Sequence, residues 1–571
     1  MATKPQMRHN IVLTFPMKAP FFLLSATLFL ANASRAASIS LVEAAAVPVV
    51  SQEGKISVID VGRQLFVDDY LVKQTTLKRT FHPAKLQADA PVLKAETKLE
   101  RENGTAEGAV LFDGGVWYDP ADQVFKMWYV GGFRDGICYA TSKDGIHWER
   151  PSLDVSPAEN RVLPYHKGWA LSGFSVALDQ LAPKPSERFK MVAYHRYKNR
   201  FAGDGGDENP PAKMYVSADG IHWGEPQMVK PFTGDNPSIF HDPFRNYWVF
   251  STRNRAPSLL HPNELDAAGK PITVRARFRF DGPDFIQAGL TSTKAQLWLK
   301  PDVLDKADPT LGYEPELYKF GAVAYESIML GAYGMFYGPP NNIAGTKGKE
   351  QPKIIDIQLG FSRDGVSYPR PSRDAFIAAA RTPGVWNRGY LHSANGVCLI
   401  VNDELYFYFG TWSGLSERKV AELVMSGGSV GLAKLRRDGF ASMDADASGG
   451  TLTTTPVSFR GKFPFVNVAA ANGELRAEIL DVAGKVIAPF TLANSLPVKG
   501  DRTRQSMAWK GVDDLGALAG KPVRFRFSLT NGQLYAFWVS QDPAGASNGF
   551  VAAGGPGFTG PVDLPGRAGS P

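Results

Sequence analysis

Short apolar runs bounded by polar turn residues repeat along the chain from about residue 60 onward. Residues 109–112, 125–129 and 247–250 are such runs, and Asp119-Pro120 and Asp242-Pro243 mark turns beside them. Residues 523–529 alternate apolar and polar side chains, and Asn531-Gly532 follows them as a hairpin turn. Short runs of this kind between turn residues are typical of β-strands. The pattern therefore predicts an all-β protein.

One motif recurs with a spacing of about 75 residues. Ser142-Lys-Asp144-Gly-Ile-His-Trp148 returns at residues 217–223 and 362–368, with weaker copies around Asp281 and Asp438. A hairpin of apolar strands precedes each copy, which makes five units. Because a closed ring shields strand edges that an open sheet would expose, the repeat predicts a five-bladed β-propeller over residues 55–448. Residues 63–72 are expected to supply an N-terminal strand that helps close the ring.

The pattern changes at both ends of this repeat region. After Gly449-Gly450, alternating strands predict a separate β-sandwich over residues 449–542, and the Gly/Pro/Ala-rich tail 543–571 is expected to be disordered. Residues 1–37 read as a secretory signal peptide, with Met17 as an alternative start, because a basic residue, an apolar run and small residues follow one another. The protein is therefore expected to be secreted or periplasmic.

Composition narrows the classes of partner. Charged residues make up 21% and hydrophobic residues 44% of the 571 residues, which excludes wholesale disorder. The net charge is +7, part of it lies in the leader, and no Lys/Arg run occurs, so nucleic acid is not an expected partner. No apolar run is long enough for a comfortable membrane span. Cys138 and Cys398 lie in apolar strand patterns and are expected to be buried free thiols, and two cysteines exclude the usual thiolate zinc site.

Candidate catalytic residues come from the residues that precede each inner strand, since these converge on the central funnel of a propeller. Glu107, Asp235 and Glu326 stand before apolar strands in units one, three and four. Glycoside hydrolysis needs one carboxylic acid and one carboxylate, and a third carboxylate raises the pKa of the acid by like-charge repulsion. We expect Glu326 to be the acid, Glu107 the base or nucleophile and Asp235 the residue that tunes the acid. A solvated loop position is the competing interpretation of Glu107.

Further polar and aromatic residues are expected to line the funnel and contact a sugar: His392, Arg253, His195, Arg196, Trp412 and Asp69. The competing interpretation of His392 is a satisfied buried histidine, and that of Asp69 is a cap or ion pair on the N-terminal strand. The repeat aspartates, including Asp144, are expected to form turns.

These residues carry a resemblance to known families. Five blades followed by a β-sandwich resemble glycoside hydrolase family 32, and the blades are similar to those of family 43; the Leu65-Phe-Val-Asp-Asp-Tyr-Leu opening and the Asp-Gly-Ile-His-Trp repeat look like this wider group. The resemblance implies a base, a tuning Asp and an acid Glu at the starts of the inner strands of blades one, three and four. Asp235-Asn-Pro-Ser-Ile-Phe is similar to the tuning motif and Glu326 to the acid. The chain departs from the pattern at Glu107, where an Asp is expected, and lacks the Trp-Met-Asn-Asp-Pro-Asn-Gly start of family 32.

The sequence thus predicts an exported glycoside hydrolase that acts on an oligo- or polysaccharide of plant or algal type, without a cofactor. Calcium in the funnel and the oligomeric state are left open. The alternatives are a non-catalytic carbohydrate-binding propeller, a protein–protein scaffold, and a lyase or phosphorolytic relative, because fold does not determine function.

Overall fold

The computed structural model describes residues 55–157, 159–163, 169–197, 212–230, 236–266, 268–340, 343–344, 353–416, 418 and 423–564. The predicted signal peptide lies outside these residues. Nearly all of the regular secondary structure in the described chain is β-strand, and the strands form a five-bladed propeller followed by a β-sandwich. The predicted fold class is confirmed.

Five short strands precede the blades: β1 (Ser57–Val58), β2 (Gln64–Leu65), β3 (Val72–Thr75), β4 (Lys78–Phe81) and β5 (Lys85–Leu86). The prediction that residues 63–72 close the ring is wrong, because β2 pairs with residues 536–537, which belong to the sandwich. Strand β5 closes the ring instead. Its Lys85 and Leu86 pair with Lys434 and Ala433 at the outer edge of blade five.

The blades follow in chain order. Blade one contains α1 (Lys98–Glu102), β6 (Ala109–Asp119), β7 (Val124–Gly131) and β8 (Gly136–Ser142). Blade two contains β9 (Trp169–Leu178), β10 (Phe189–Tyr197), β11 (Ala212–Ser217) and β12 (Met228–Lys230). Blade three contains β13 (Ser238–Asp242), β14 (Tyr247–Pro257), β15 (Thr273–Gly282), α2 (Phe285–Leu290) and β16 (Gln296–Leu299). Blade four contains β17 (Glu316–Glu326), β18 (Ile328–Gly338) and β19 (Ile354–Ser362). Blade five contains β20 (Gly389–Ser393), β21 (Leu399–Val401), β22 (Glu404–Trp412) and β23 (Gly428–Arg436).

Within each blade the neighbouring strands are antiparallel. The first strand of each blade is the inner one. We call the end of the propeller where the inner strands begin the strand-start face, and the opposite end the strand-end face.

The repeated Asp-Gly motif forms a turn that joins neighbouring blades. Asp144 Oδ1 accepts hydrogen bonds from the backbone N–H groups of the two residues after Gly145, each at 2.8 Å. The hydroxyl of Tyr408 in blade five donates to the carbonyl of Gly145 in blade one, at 2.6 Å. In the same way, Trp128 Nε1 in blade one donates to the carbonyl of Gly220 in blade two, at 2.7 Å. The motif is therefore structural at these positions, as predicted.

The sandwich contains β24 (Ala441–Ala445), β25 (Gly450–Thr454), β26 (Val457–Ser458), β27 (Phe463–Leu480), β28 (Val498–Ser506), β29 (Arg524–Thr530) and β30 (Gly532–Ser540). Its main sheet has the order β3-β25-β29-β27-β30-β24-β4, so two N-terminal strands form the edges. Strand β27 also pairs with β28, and the inward aromatics Phe525, Phe527 and Phe537 are buried between the layers. The sandwich is thus larger than the predicted 449–542 segment.

The tail is ordered through residue 564, contrary to the predicted disorder. Strand β31 (Phe550–Val551) pairs with the end of β17 at Glu326 and Tyr325. Beyond it, the N–H of Tyr118 in blade one donates to the carbonyl of Ala553 at 3.0 Å. The N–H of Ile400 in blade five donates to the carbonyl of Gly554 at 2.9 Å. The tail therefore crosses blades four, one and five and covers the strand-end face at the axis of the ring.

Both cysteines are free and buried, as predicted. In the part of the chain that the structure describes, no helix is long and apolar enough to cross a membrane.

A buried charge network joins the propeller to the sandwich and the tail at the strand-end face. Glu326, at the end of β17, is fully buried and accepts hydrogen bonds from Arg437 (3.0 Å), the backbone N–H of Arg63 (3.1 Å) and the hydroxyl of Ser547 (2.7 Å). The guanidinium of Arg63 also contacts Asp438 at 2.8 Å. A buried ion pair is strongly destabilising when one partner is removed, because the other charge stays uncompensated.

Replacing Glu326 with Gln is therefore expected to destabilise the protein by about 3–5 kcal/mol, since the buried Arg437 loses its nearer counter-ion and keeps only Asp563, at 3.8 Å. The measurement is the free energy of unfolding from denaturant or thermal unfolding of the full chain. Glu404→Gln is the matched control: Glu404 pairs with Lys434, but its side chain is 48% exposed, so a loss of at most about 1 kcal/mol is expected. Equal losses in the two variants would contradict a structural role for Glu326.

Candidate functional site

Polar side chains from all five blades meet at the axis of the propeller. Blade one contributes Asp113, blade four Lys319 and blade five His392, and all three are buried. Lys319 Nζ lies 2.9 Å from Asp113 Oδ1, and His392 Nδ1 lies 3.5 Å from the same oxygen. In blades two and three the nearest polar groups are Ser175, whose hydroxyl accepts the N–H of Ile239, and Asn236. We call Asp113, Lys319 and His392 the central triad.

An irregularity in β6 turns Asp113 towards the axis. The pairing of β6 with β7 shifts between Val110 and Gly115, and Asp113 has a φ of 75°, which is unusual for a residue with a side chain. Gly114 follows with a φ of 47°, and a Cβ atom there would lie 2.3 Å from the carbonyl oxygen of Trp128. Only glycine fits at this position. Strained backbone that positions a buried carboxylate among other charged groups is typical of functional sites.

The charges of the central triad depend on one another. Burial raises the pKa of Asp113, but the Lys319 ammonium and His392 outweigh it and hold that pKa below its usual value of 3.8, at about 2. Burial lowers the pKa of His392 against the opposing effect of Asp113, which favours the neutral imidazole. The Nδ1 of His392 faces Asp113, whereas its Nε2 has no hydrogen-bond partner among the described residues. The triad thus presents an ionised carboxylate and a neutral imidazole at the axis.

Aromatic side chains surround His392 on the strand-start face. The ring centroids of Phe112, Tyr318, Tyr390 and Trp412 lie 4.8, 5.6, 4.8 and 5.5 Å from that of His392. The hydroxyl groups of Tyr318 and Tyr390 are 2.6 Å apart, so the two rings meet above the triad. Apolar walls with a few polar groups are typical of small-molecule sites.

Two carboxylates lie at the rim of this face, before or at the start of an inner strand. Glu107 precedes β6, and its Oε2 accepts a hydrogen bond from the hydroxyl of Ser416 at 2.8 Å. Glu316 is the first residue of β17, and its Oε2 accepts from the backbone N–H (3.1 Å) and the guanidinium (2.5 Å) of Arg275. The rim therefore has acidic groups in blades one and four.

The structure places five predicted site residues on the strand-start side of the propeller. His392 and Trp412 are buried near the axis, Arg253 lies with its Cζ 5.1 Å from the Tyr318 ring, and Glu107 lies at the rim. His195 is half-buried near the end of β10, which also reaches this face.

The other predicted site residues do not join them. Glu326 ends the inner strand of blade four rather than preceding it, so it lies on the strand-end face; burial raises its pKa there against Arg437 and Arg63. Asp69 is exposed and pairs with Arg79 beside the sandwich. Asp235 and the side chain of Arg196 lie outside the described residues.

Sequence analysis missed Asp113, Lys319 and Glu316. The available signal for Asp113 was the Asp-Gly-Gly interruption of an otherwise apolar strand, which indicates a bulge. The signal for Lys319 was weaker: it is a lone Lys within an apolar run, and in the structure this run is a buried strand. Glu316 was missed because the strand that it begins was not recognised as the inner strand.

The described residues contain no group of three or more His, Cys, Asp or Glu side chains that could hold a metal ion. Whether calcium binds in the funnel stays an open point of the sequence prediction.

The chain matches no protein-family model and no curated protein. Among solved structures it is similar to an N-acetylgalactosamine deacetylase from F. plautii (13% identity, 63% of this chain and 96% of that chain, TM-score 0.38). It is similar to a glycoside hydrolase family 43 arabinoxylan arabinofuranohydrolase from Bacillus subtilis (12%, 80% and 100%, TM-score 0.32). A third is a fructofuranosidase from Schwanniomyces occidentalis (10%, 79% and 98%, TM-score 0.35). At these identities and TM-scores, no activity passes from those proteins to this chain.

The pKa of Asp113 leads to a prediction about acid stability. Because the folded-state pKa is depressed to about 2, ionised Asp113 stabilises the fold above about pH 4, and this contribution is lost as the pH falls towards 2. Asp113→Asn is therefore expected to be about 2 kcal/mol less stable than the wild type at pH 7, with the gap closing towards pH 2. The measurement is the free energy of unfolding between pH 2 and pH 7.

The double variant Asp113→Asn/Lys319→Met serves as its control. It removes both buried charges, so it is expected to be more stable than Asp113→Asn alone. A stability gap between Asp113→Asn and the wild type that stays constant down to pH 2 would contradict the ion pair.

Proposed function

We propose that this protein is a glycoside hydrolase whose active site lies at the axis of the propeller on the strand-start face. The observation that carries the proposal is the central triad: a fully buried, ionised Asp113 on strained backbone, beside a buried His392 that aromatic rings surround. Strained backbone and a perturbed pKa at a buried carboxylate are typical of functional sites. The Tyr and Trp rings around His392 are buried in this structure and are of the type that packs against sugar rings.

The reaction needs a carboxylate and a proton donor. In the proposed mechanism Asp113 is the carboxylate that activates water or attacks the anomeric carbon, and Lys319 keeps it ionised. Glu107 is the proposed donor, because the partner described for it is a neutral hydroxyl rather than a cation that would hold it ionised, whereas Glu316 serves as the counter-ion of Arg275. Asp235 stays a prediction for the residue that tunes the donor.

A carbohydrate-binding propeller without hydrolysis is the second candidate. The observation that favours it is the complete burial of Asp113, which means that surrounding side chains must move before a sugar touches the carboxylate. In that case the aromatic rings bind the glycan, and the triad only holds the blades together.

Export of the protein also stays a proposal. It rests on the leader pattern of residues 1–37, and a polysaccharide substrate would be met outside the cell.

The test is release of reducing sugar from a panel of plant and algal polysaccharides by the full chain. Asp113→Asn and Glu107→Gln are each expected to lower the rate at least about a hundredfold, because each removes a group that acts in the transition state. Glu326→Gln, assayed well below its lowered melting temperature, is expected to keep the wild-type rate.

Circular dichroism and calorimetric binding on the same variants show whether each one is folded and still binds glycan. Undiminished hydrolysis by folded Asp113→Asn would show that the catalytic assignment is wrong. Binding of a glycan by the wild type, with no product after long incubation, would instead establish the binding propeller.

A further inference from the structure

Four arginines lie on one face of blade three, next to the candidate site. In the antiparallel pair β14–β15, Arg253 is directly opposite Arg277, and Arg255 is directly opposite Arg275. Since side chains alternate along a strand, residues two apart share a face, so all four point to the same side of the sheet. Like charges directly opposite each other destabilise a sheet, so this arrangement calls for compensating anionic groups.

The fold itself compensates Arg277. This side chain is fully buried and donates to Ser251 Oγ (2.9 Å) and to the carbonyls of Tyr318 (3.0 Å) and Asn236 (2.9 Å). It therefore fixes the inner strand of blade four against blade three and is not available to a ligand.

Arg255 and Arg275 lie nearer the rim than Arg253 and Arg277. Arg275 is paired with Glu316, yet its Nε has no partner and the residue is only 7% exposed. Arg255 bonds the hydroxyl of Thr273 at 2.7 Å, and burial together with the like charges of Arg275 and Arg253 lowers its pKa.

These cations surround the tyrosine pair above the central triad. Arg253 Cζ and Arg275 Cζ lie 5.1 and 5.3 Å from the centre of the Tyr318 ring, and Lys353 Nζ lies 5.1 Å from that of Tyr390. A ligand that reaches this pair of rings therefore meets guanidinium and ammonium groups.

We propose that the funnel takes an anionic glycan, whose carboxylate or sulfate ester is bound by Arg253, Arg255 and Arg275. This inference rests on the proposed glycan-acting function and specifies its substrate class. Guanidinium groups bind carboxylate and sulfate oxygens through paired charge-assisted hydrogen bonds, and the bound anion relieves the repulsion between the opposed arginines. A neutral sugar forms no such charge-assisted hydrogen bonds and does not relieve the repulsion between the arginines.

The experiment is calorimetric titration of the full chain with three oligosaccharides of equal length: an oligogalacturonate, a sulfated galactan fragment and a neutral galactan fragment. At least one of the two anionic probes is expected to bind about tenfold or more tightly than the neutral one. The preference is expected to shrink in 0.5 M salt, because added ions screen the attraction. Which anionic probe binds distinguishes a carboxylate from a sulfate ester.

Arg253→Gln is the variant that tests the assigned residues. It is expected to weaken binding of the preferred anionic probe about tenfold and to leave binding of the neutral probe unchanged. Arg460→Gln is the matched control, because Arg460 pairs with Asp60 and belongs to the sandwich rather than to blade three. This variant is expected to bind both probes as the wild type does. Thermal unfolding of both variants verifies that they are folded.

Affinity for the neutral probe equal to or above that for both anionic probes would overturn this inference, as would an unchanged preference in folded Arg253→Gln. Neither result bears on the proposed hydrolysis. Hydrolysis is tested separately, by the loss of product in Asp113→Asn. Conversely, anionic preference without any product would support this inference and refute hydrolysis.

Discussion

The ammonium group of Lys319 crosses the axis of the propeller and holds three blades together. It comes from blade four, lies 2.9 Å from Asp113 of blade one and donates to the backbone carbonyl of Ser393 in blade five. All of these groups are buried, where an unpaired charge would be far more costly than in water. The bulge gives Asp113 a left-handed backbone conformation, which is unfavourable for a residue with a side chain. The ion pair with Lys319 offsets this cost. The geometry of the axis therefore follows from one charge pair.

The two ends of the axis have different roles because the tail covers one of them. Residues 547–563 cross the strand-end face, where Ser547 bonds Glu326 and the backbone bonds blades one, four and five. Glu326, Arg63, Arg437 and Asp438 form a second buried network there, between the propeller and the sandwich. Acidic and basic groups at that end thus stabilise the assembly of domains. The strand-start face keeps the aromatic rings, His392 and the rim carboxylates, and we infer that chemistry occurs there.

Much of the architecture could be predicted, because the Asp-Gly turns and the apolar hairpins carry local signals that repeat with each blade. The error at Glu326 has a specific cause: β17 and β18 meet in a turn formed by Glu326 and Ser327, with Glu326 at a φ of 50°, and no Gly, Asn or Pro marks it. The strand after Glu326, β18, was therefore predicted to be the inner strand of blade four, whereas the inner strand is β17. The tail and the N-terminal strands were misassigned because their order comes from long-range pairing, which composition does not reveal. His392, Arg253 and Trp412 were found from the predicted blades, whereas Asp113 and Lys319 meet only through the closed ring.

A glycan is expected to bind at the axis on the strand-start face, above Asp113 and His392. The most direct test is a crystal structure of Asp113→Asn soaked with the oligosaccharide that the wild type binds most tightly. The expected result is a sugar ring stacked against Tyr318, Tyr390 or Trp412, with its nearest ring oxygen or hydroxyl facing residue 113. Sugar density confined to the sandwich, with no sugar at the axis, would contradict this assignment.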